Sequence, residues 1–187
     1  QKPIIGINHI EGHIYSNWLN EPRLSFPAII LIVSGAHTEL VLMKDYGKYQ
    51  IIGETLDDAA GECFDKTARI LGLGFPGGPA IAALAEKFKI ENLKFKISLP
   101  RPIINSKDYN FSFSGLKTAV LYSYKGKNKS AMAYEIQQAI VEVLISKTLK
   151  AVKNYNPKSV MTAGGVAANK KLREEMAKKL VPHKIPF

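Results

Sequence analysis

Six consecutive apolar residues, Ala28 to Val33, stand only four residues ahead of another strand-like run, Thr38 to Met43. The link Ser34-Gly35-Ala36-His37 reads as a turn. Strands joined so closely can pair only antiparallel, because a parallel return needs a crossover of a dozen residues or more. Asp45-Tyr46-Gly47-Lys48 is a second turn, and Tyr49 to Gly53 a third strand. The expectation is a three-stranded antiparallel meander with a continuously apolar first strand, buried on both faces.

The rest of the chain alternates helices with glycine-bearing loops. Leu56 to Leu71 reads as a helix with apolar positions at Leu56, Ala60, Cys63, Thr67 and Ile70. Asp58, Glu62, Asp65 and Arg69 share another face, with Asp58 and Glu62 read as solvated carboxylates. Phe75-Pro76-Gly77-Gly78-Pro79 opens a helix from Ala80 to Phe88. An extended run covers 93–99, and Pro100-Arg101-Pro102 is a rigid connector. Phe111 to Thr118 leads into a helix reaching Tyr124, and Ser130 to Tyr155 is a long amphipathic helix. Ser159 to Thr162 is a short buried strand. A loop, Ala163-Gly164-Gly165-Val166-Ala167-Ala168-Asn169, precedes a last helix that runs to Leu180. Three glycine turns, at 34–36, 76–78 and 164–165, fall where strands end or helices begin. Glycine there lets backbone amides approach an anion, so the three together suggest a nucleotide-like ligand. Each glycine taken alone is explained as well by the turn itself.

Near the start, Asn8 can cap a helix carrying His9 and His13. Positions i and i+4 lie on one face, so two imidazoles can share one metal ion. Such pairs also occur without metal. Two of only four histidines form this pair, and His37 sits in another glycine turn. In a zinc peptidase the Glu directly follows the first His. Here Glu11 comes two residues after His9, about 200° around the helix at roughly 100° per residue, and faces away from that side. Gly12 stands where the reversed motif has its Glu.

At 187 residues with 46% hydrophobic and 22% charged content, the chain reads as globular. The single Cys63 excludes an internal disulfide framework and fits a reducing cytoplasm. On an apolar helix face it reads as core. No apolar run reaches a membrane span. The net charge of +10, from 26 basic and 16 acidic residues, favours a polyanionic partner, with nucleic acid first. The chain lacks an initiator Met and stops at Pro186-Phe187, where another strand begins. It is expected to be a piece of a larger protein.

These motifs together resemble the TsaD family of tRNA threonylcarbamoyladenosine synthases, formerly described as sialoglycoprotein endopeptidases. The resemblance rests on His9-x-x-x-His13, Ile32-Val33-Ser34-Gly35-Ala36-His37-Thr38, Asp57 to Lys66, Pro76 to Pro79, Phe111 to Thr118 and Gly164 to Asn169. Ala36 is a departure, since many members have glycine there. The resemblance implies the α/β actin-like ATPase architecture of two ribonuclease-H-like halves. Residues 1–25 are then the remnant of the first half, carrying the His helix. Residues 26–187 are the second half, with a helical insertion and a truncated end. It implies transfer of a threonylcarbamoyl group from threonylcarbamoyl-AMP to N6 of the adenosine 3′ of the anticodon. His9 and His13 would hold one divalent ion, iron or zinc, whose third ligand, an Asp, lies outside this chain. Ile32, Val33, Ser34, Gly35 and Ala36, with Asp65, Gly78 and Asn169, would contact the adenylate. Asn169 also reads as a helix cap. Lys117 is a candidate tRNA contact. A paralogous TsaB-type subunit and a TsaE-type small ATPase are the implied partners. The competing classes are a metallopeptidase and a non-catalytic nucleotide-binding subunit.

Overall fold

The computed structural model describes residues 3–19, 25–90 and 97–187. The break read at Asn20-Glu21-Pro22 and most of the extended run 93–99 lie outside them. Strands β1 (Ala28–Val33), β2 (Thr38–Asp45) and β3 (Lys48–Glu54) form the expected antiparallel meander. A fourth strand, β4 (Ser159–Ala163), joins β1 in parallel, giving a mixed sheet of order β3-β2-β1-β4.

All six β1 side chains are buried, and they alternate between two cores. Ile29, Leu31 and Val33 pack into a large core built with α2 (Ala60–Ile70), α4 (Ser114–Ser123), α5 (Lys129–Tyr155) and α6 (Lys170–Leu180). Helix α3 (Gly77–Ile90) closes that layer against α2 and α5. Ala28, Ile30 and Ile32 face a smaller core under the short helix α1 (His9–Tyr15), whose Ile14 is fully buried there. A strand covered on both faces has no polar side, which explains its uninterrupted apolar run. Each of the five larger side chains, Ile29 to Val33, contributes roughly 1.5–3 kcal/mol by leaving water.

Two helix starts differ from the sequence expectation. Helix α2 begins at Ala60, not Leu56, and Leu56 is 64% exposed. Residues 55–58 instead continue from β3. Leu56 donates its N–H to the Phe111 carbonyl, and Thr55 bridges Phe111. Helix α3 begins three residues before Ala80 because Asp65 Oδ1 accepts from the Gly77 N–H at 2.7 Å and terminates its free end. Asp58 is also not a solvated carboxylate. It is half-buried, and with the more exposed Glu62 it pairs with Lys66, at 2.6 and 2.9 Å.

The connector before α4 is tied to α5. Arg101 Nε donates to Glu142 at 2.6 Å, and the same guanidinium binds Glu135. The fully buried Lys147 ammonium donates to Ser106 Oγ and to the Asp108 carbonyl. Burial pushes the Lys147 pKa down, with Asp108 opposing. These contacts fix the segment that delivers Phe111 and Phe113 into the core.

Candidate functional site

The site is built around the turn that ends β1. The Ser34 N–H donates to the His37 carbonyl at 2.8 Å, and Ser34 Oγ accepts from the amides of His37 (3.0 Å) and Ala36 (3.3 Å). The turn is thus held by its own side chain, a short polar residue doing what such residues do in turns. Helix α2 starts directly on it. The Gly61 N–H donates to the Ser34 carbonyl at 3.1 Å, and the Ala60 N–H to Thr38 Oγ1 at 2.8 Å. Ala59 supplies no side-chain cap, so strand β2 and the turn satisfy the helix's first amides. Gly61 is required by that contact, since a Cβ would lie 2.4 Å from the Ser34 carbonyl oxygen.

The turn after β4 packs on the same strand end. Gly164 adopts φ +91°, and a Cβ there would meet the Val33 carbonyl oxygen at 2.4 Å. All three glycine-bearing loops then reach one cavity of about 570 Å³. Gly35, Gly78 and Gly165 line it, one from each loop, together with Asp65, Phe75 and Asn169. Its charged lining residues are Asp65 and Lys170.

The expected adenylate contacts sort into three groups. Gly35, Asp65, Gly78 and Asn169 line the cavity. Ile32 and Val33 are fully buried, with side chains in opposite cores, so only their backbone can face a ligand. Ser34 and Ala36 belong to the turn, and Ala36 is exposed, so its Cβ intrudes on nothing buried. Lys117 lies on α4 outside the cavity lining. Gly78 has an ordinary helical φ and room for a Cβ, 4.0 Å from Phe64. The tight glycine in that loop is Gly77, where a Cβ would sit 2.6 Å from the Asp65 Cα. Asn169 caps α6, accepting from the Leu172 N–H at 3.0 Å, while its Nδ2 donates to Gln137 at 3.0 Å. An amide retains one further donor and one further acceptor site beyond such a pair.

On the opposite core, Asn8 Oδ1 accepts from the Ile10 and Glu11 amides at 2.9 and 3.2 Å and starts α1 as expected. The His9 and His13 rings lie 4.6 Å apart between centroids, and His37, closing the β1 turn, is 6.3 Å from His9. The turn therefore has Gly35 at the cavity and His37 beside the histidine helix. Glu11 points elsewhere and accepts from the Tyr49 hydroxyl at 2.7 Å. Tyr15 Oη accepts from the Gly47 N–H at 2.9 Å and ties α1 to the β2–β3 turn. Among the described residues no three His, Cys, Asp or Glu side chains are placed so as to hold a metal ion between them. Cys63 is fully buried, and burial pushes its thiol pKa far up, so it is core and not a nucleophile.

Sequence reasoning missed Asp57. Its carboxylate accepts from the Phe113 N–H (2.7 Å), the Ser114 N–H (3.2 Å), Ser112 Oγ (2.6 Å) and Ser114 Oγ (2.7 Å). It caps α4 from 57 residues away. Partial burial pushes its pKa up, but these hydrogen bonds outweigh that and hold it below the usual carboxylate range.

The family model described as TsaD, tRNA N6-adenosine threonylcarbamoyltransferase, matches residues 1–187. Proteins of that name from Thermosipho africanus and Syntrophomonas wolfei are each 50% identical, over 95% and 96% of this chain. The chain spans about half the length of these relatives, 54% and 53%. Among solved structures, component A of the Acidaminococcus fermentans (R)-2-hydroxyglutaryl-CoA dehydratase covers 90% of the chain, with TM-score 0.55 and 17% identity. HypF of T. kodakarensis covers 70%, with TM-score 0.53 and 20% identity. At those identities the likeness concerns the fold alone, which is the actin-like ATPase fold. By its match over the full 187 residues, the chain belongs to the TsaD family.

Proposed function

We infer that the protein carrying this chain transfers the threonylcarbamoyl group of threonylcarbamoyl-AMP to N6 of the adenosine 3′ of the anticodon. The observation that supports this reading is the convergence of three glycine loops on one cavity, joined by the β1 turn to a pair of histidines. A mixed anhydride is already activated, so the protein need not offer a nucleophile. Its work is positioning and charge stabilisation.

In this reading the Gly35 and Gly78 backbone lies against the adenylate, and the free side of the Asp65 carboxylate accepts from ribose hydroxyls. Asn169 offers its remaining donor and acceptor to the nucleoside, while Ile32, Val33, Ser34 and Ala36 hold the turn in shape. Paired imidazoles on one helix face fit a divalent ion, and His9 and His13 would hold it as iron or zinc. Bound there, it would polarise a carbonyl of the donor group. The rest of that ion's ligand set, an Asp, belongs to the protein outside this chain. Residues 1–25 are assigned to the first ribonuclease-H-like half and 26–187 to the second. The reaction calls for tRNA, and the assigned protein partners are a TsaB-type paralogue and a TsaE-type ATPase. The assigned compartment is the cytoplasm; among the described residues no helix is long and apolar enough to cross a membrane. A peptidase reading gains no support, because Glu11 is engaged by Tyr49.

The test supplies full-length protein and its partners with threonine, bicarbonate, ATP and tRNA. Digested tRNA is then examined by mass spectrometry for threonylcarbamoyl-adenosine. Product that depends on this protein supports the assignment. Adenylate consumed with no modified nucleoside formed refutes it.

A further inference from the structure

We propose that the connector between α4 and α5, together with the exposed C-terminal end of α2, forms the docking face for the tRNA backbone. The proposal rests on the tRNA reading above and locates the contact. From Tyr109 to Tyr134 the chain contains four lysines, 117, 125, 127 and 129, and no Asp or Glu. Lys125 and Lys127 are exposed on a connector turned by Gly126 and Asn128, both at positive φ, and Lys129 is exposed as the first residue of α5. Lys129 Nζ lies 3.9 Å from where a Cβ on Gly72 would stand, so the connector reaches the end of α2. Arg69, in the last turn of α2, is exposed there too. None of these cations has an ion-pair partner among the described residues, unlike neighbouring Lys66, which is held by Asp58 and Glu62. Ordinary surface lysines are commonly paired or interspersed with acids; the connector stretch has neither and carries uncompensated positive charge, while Arg69 adds a cation on a helix face that also holds Glu62 and Asp65.

Two observations favour RNA over other anionic partners. Tyr122 is 71% exposed on α4, three residues ahead of Lys125 in the chain, and an exposed ring on a cationic stretch suits an unpaired base. The face also runs to the site. A second cavity of about 300 Å³ includes Arg69 and Leu73 and shares Asp65 and Phe75 with the larger one. A macromolecular substrate must reach that cavity with its reacting group, which a membrane or a regulatory protein need not do.

The test uses full-length protein with its partners and the triple variant Lys125→Glu, Lys127→Glu, Lys129→Glu. Binding of a fluorescent tRNA is followed across a salt series. Removing three phosphate contacts should weaken binding roughly tenfold or more and lower the log–log salt slope by about two. Affinity for threonylcarbamoyl-AMP, measured by calorimetry, should match wild type and also shows that the fold is intact. The matching Lys→Arg triple should keep both tRNA affinity and slope. Wild-type tRNA affinity and slope in the Glu variant overturn the proposal. So does a variant that loses binding to anionic vesicles while keeping tRNA. Loss of tRNA binding by the Glu variant, in a protein that makes no modified nucleoside, refutes the transfer reaction and leaves this docking face standing.

Discussion

Replacing Asp57 tests whether a carboxylate remote in sequence sets the start of α4. In Asp57→Ala the Phe113 and Ser114 amides lose their acceptor, and two hydroxyls lose theirs. Loss of an N-cap costs about 0.5–2 kcal/mol. Burying unmet amides would add about 1–3 kcal/mol. Asp57 is exposed, however, so water replaces part of what is lost, and the sum stays near 2 kcal/mol. For a domain of this size that corresponds to a Tm lower by about 4–8 °C. Asp57→Asn keeps an acceptor oxygen and loses the charge at the helix N-terminus, an effect of about 0.3–1 kcal/mol. The sign with pH follows from the folded-state pKa, which lies below the unfolded one. Asp57 therefore stabilises the fold above the unfolded carboxylate pKa, about 3.9, and that stability is lost as pH falls through the folded value. Urea unfolding of wild type and the Asn variant from pH 7 downward should show a gap that is constant near neutrality and closes in acid. An Ala variant with unchanged Tm, or a gap independent of pH, refutes the capping argument.

Three further outcomes are expected. Gly78→Val should fold normally and lose adenylate affinity about tenfold or more, because its side chain enters the cavity, whereas Gly77→Ala should lower stability by about 1–3 kcal/mol through its clash with Asp65; calorimetry and thermal melts separate the two, and reversed results would misplace the cavity wall. His9→Ala or His13→Ala in the full-length protein should abolish transfer with an unchanged circular dichroism spectrum, and wild-type turnover in either would remove the histidines from the reaction. Casein should not be hydrolysed, because Glu11 is turned onto Tyr49; metal-dependent proteolysis that disappears in His13→Ala would reverse that assignment.

Much of the fold was legible because it follows from local physics. The two-sided burial of β1 is written as six apolar residues in a row, and its bounds came out to the residue. The α1 cap is visible as Asn8 three residues before Glu11. What was not legible depends on partners far away in the chain. Helix α2 starts where Thr38 Oγ1 and the Ser34 carbonyl can receive its amides, and nothing between Leu56 and Ala60 announces that. The early start of α3 depends on Asp65, and the start of α4 on Asp57. The glycine loops were legible as turns. That Gly61, Gly77 and Gly164 bear the close contacts, while Gly78 has free space, appeared only once the backbones were set against each other.

Under the proposed function, the arrangement divides recognition between two kinds of chemistry. β1 and β4 run parallel, and the crevice outside the carboxyl ends of such strands is where open α/β sheets hold ligands. Here the Val33 and Ser34 carbonyls at that end receive Gly164 and Gly61 in close contact, which draws the loop after β4 and the start of α2 together. The cavity between them is lined largely by glycine, proline, alanine and phenylalanine, with Asp65 and Lys170 as its charged groups, and Lys170 has Glu174 at 3.7 Å. A small ligand there meets mostly backbone and apolar surface, whose interactions are weakly screened by salt. Cations with no ion-pair partner among the described residues lie outside, on and beside the α4–α5 connector and at Arg69. Salt acts on charge exposed to solvent, within a Debye length of about 10 Å at 0.1 M. Raising salt from 50 to 200 mM should therefore leave adenylate affinity nearly unchanged and sharply weaken tRNA binding. A parallel loss of both would place the anionic ends of the two ligands on one shared surface and dissolve this division.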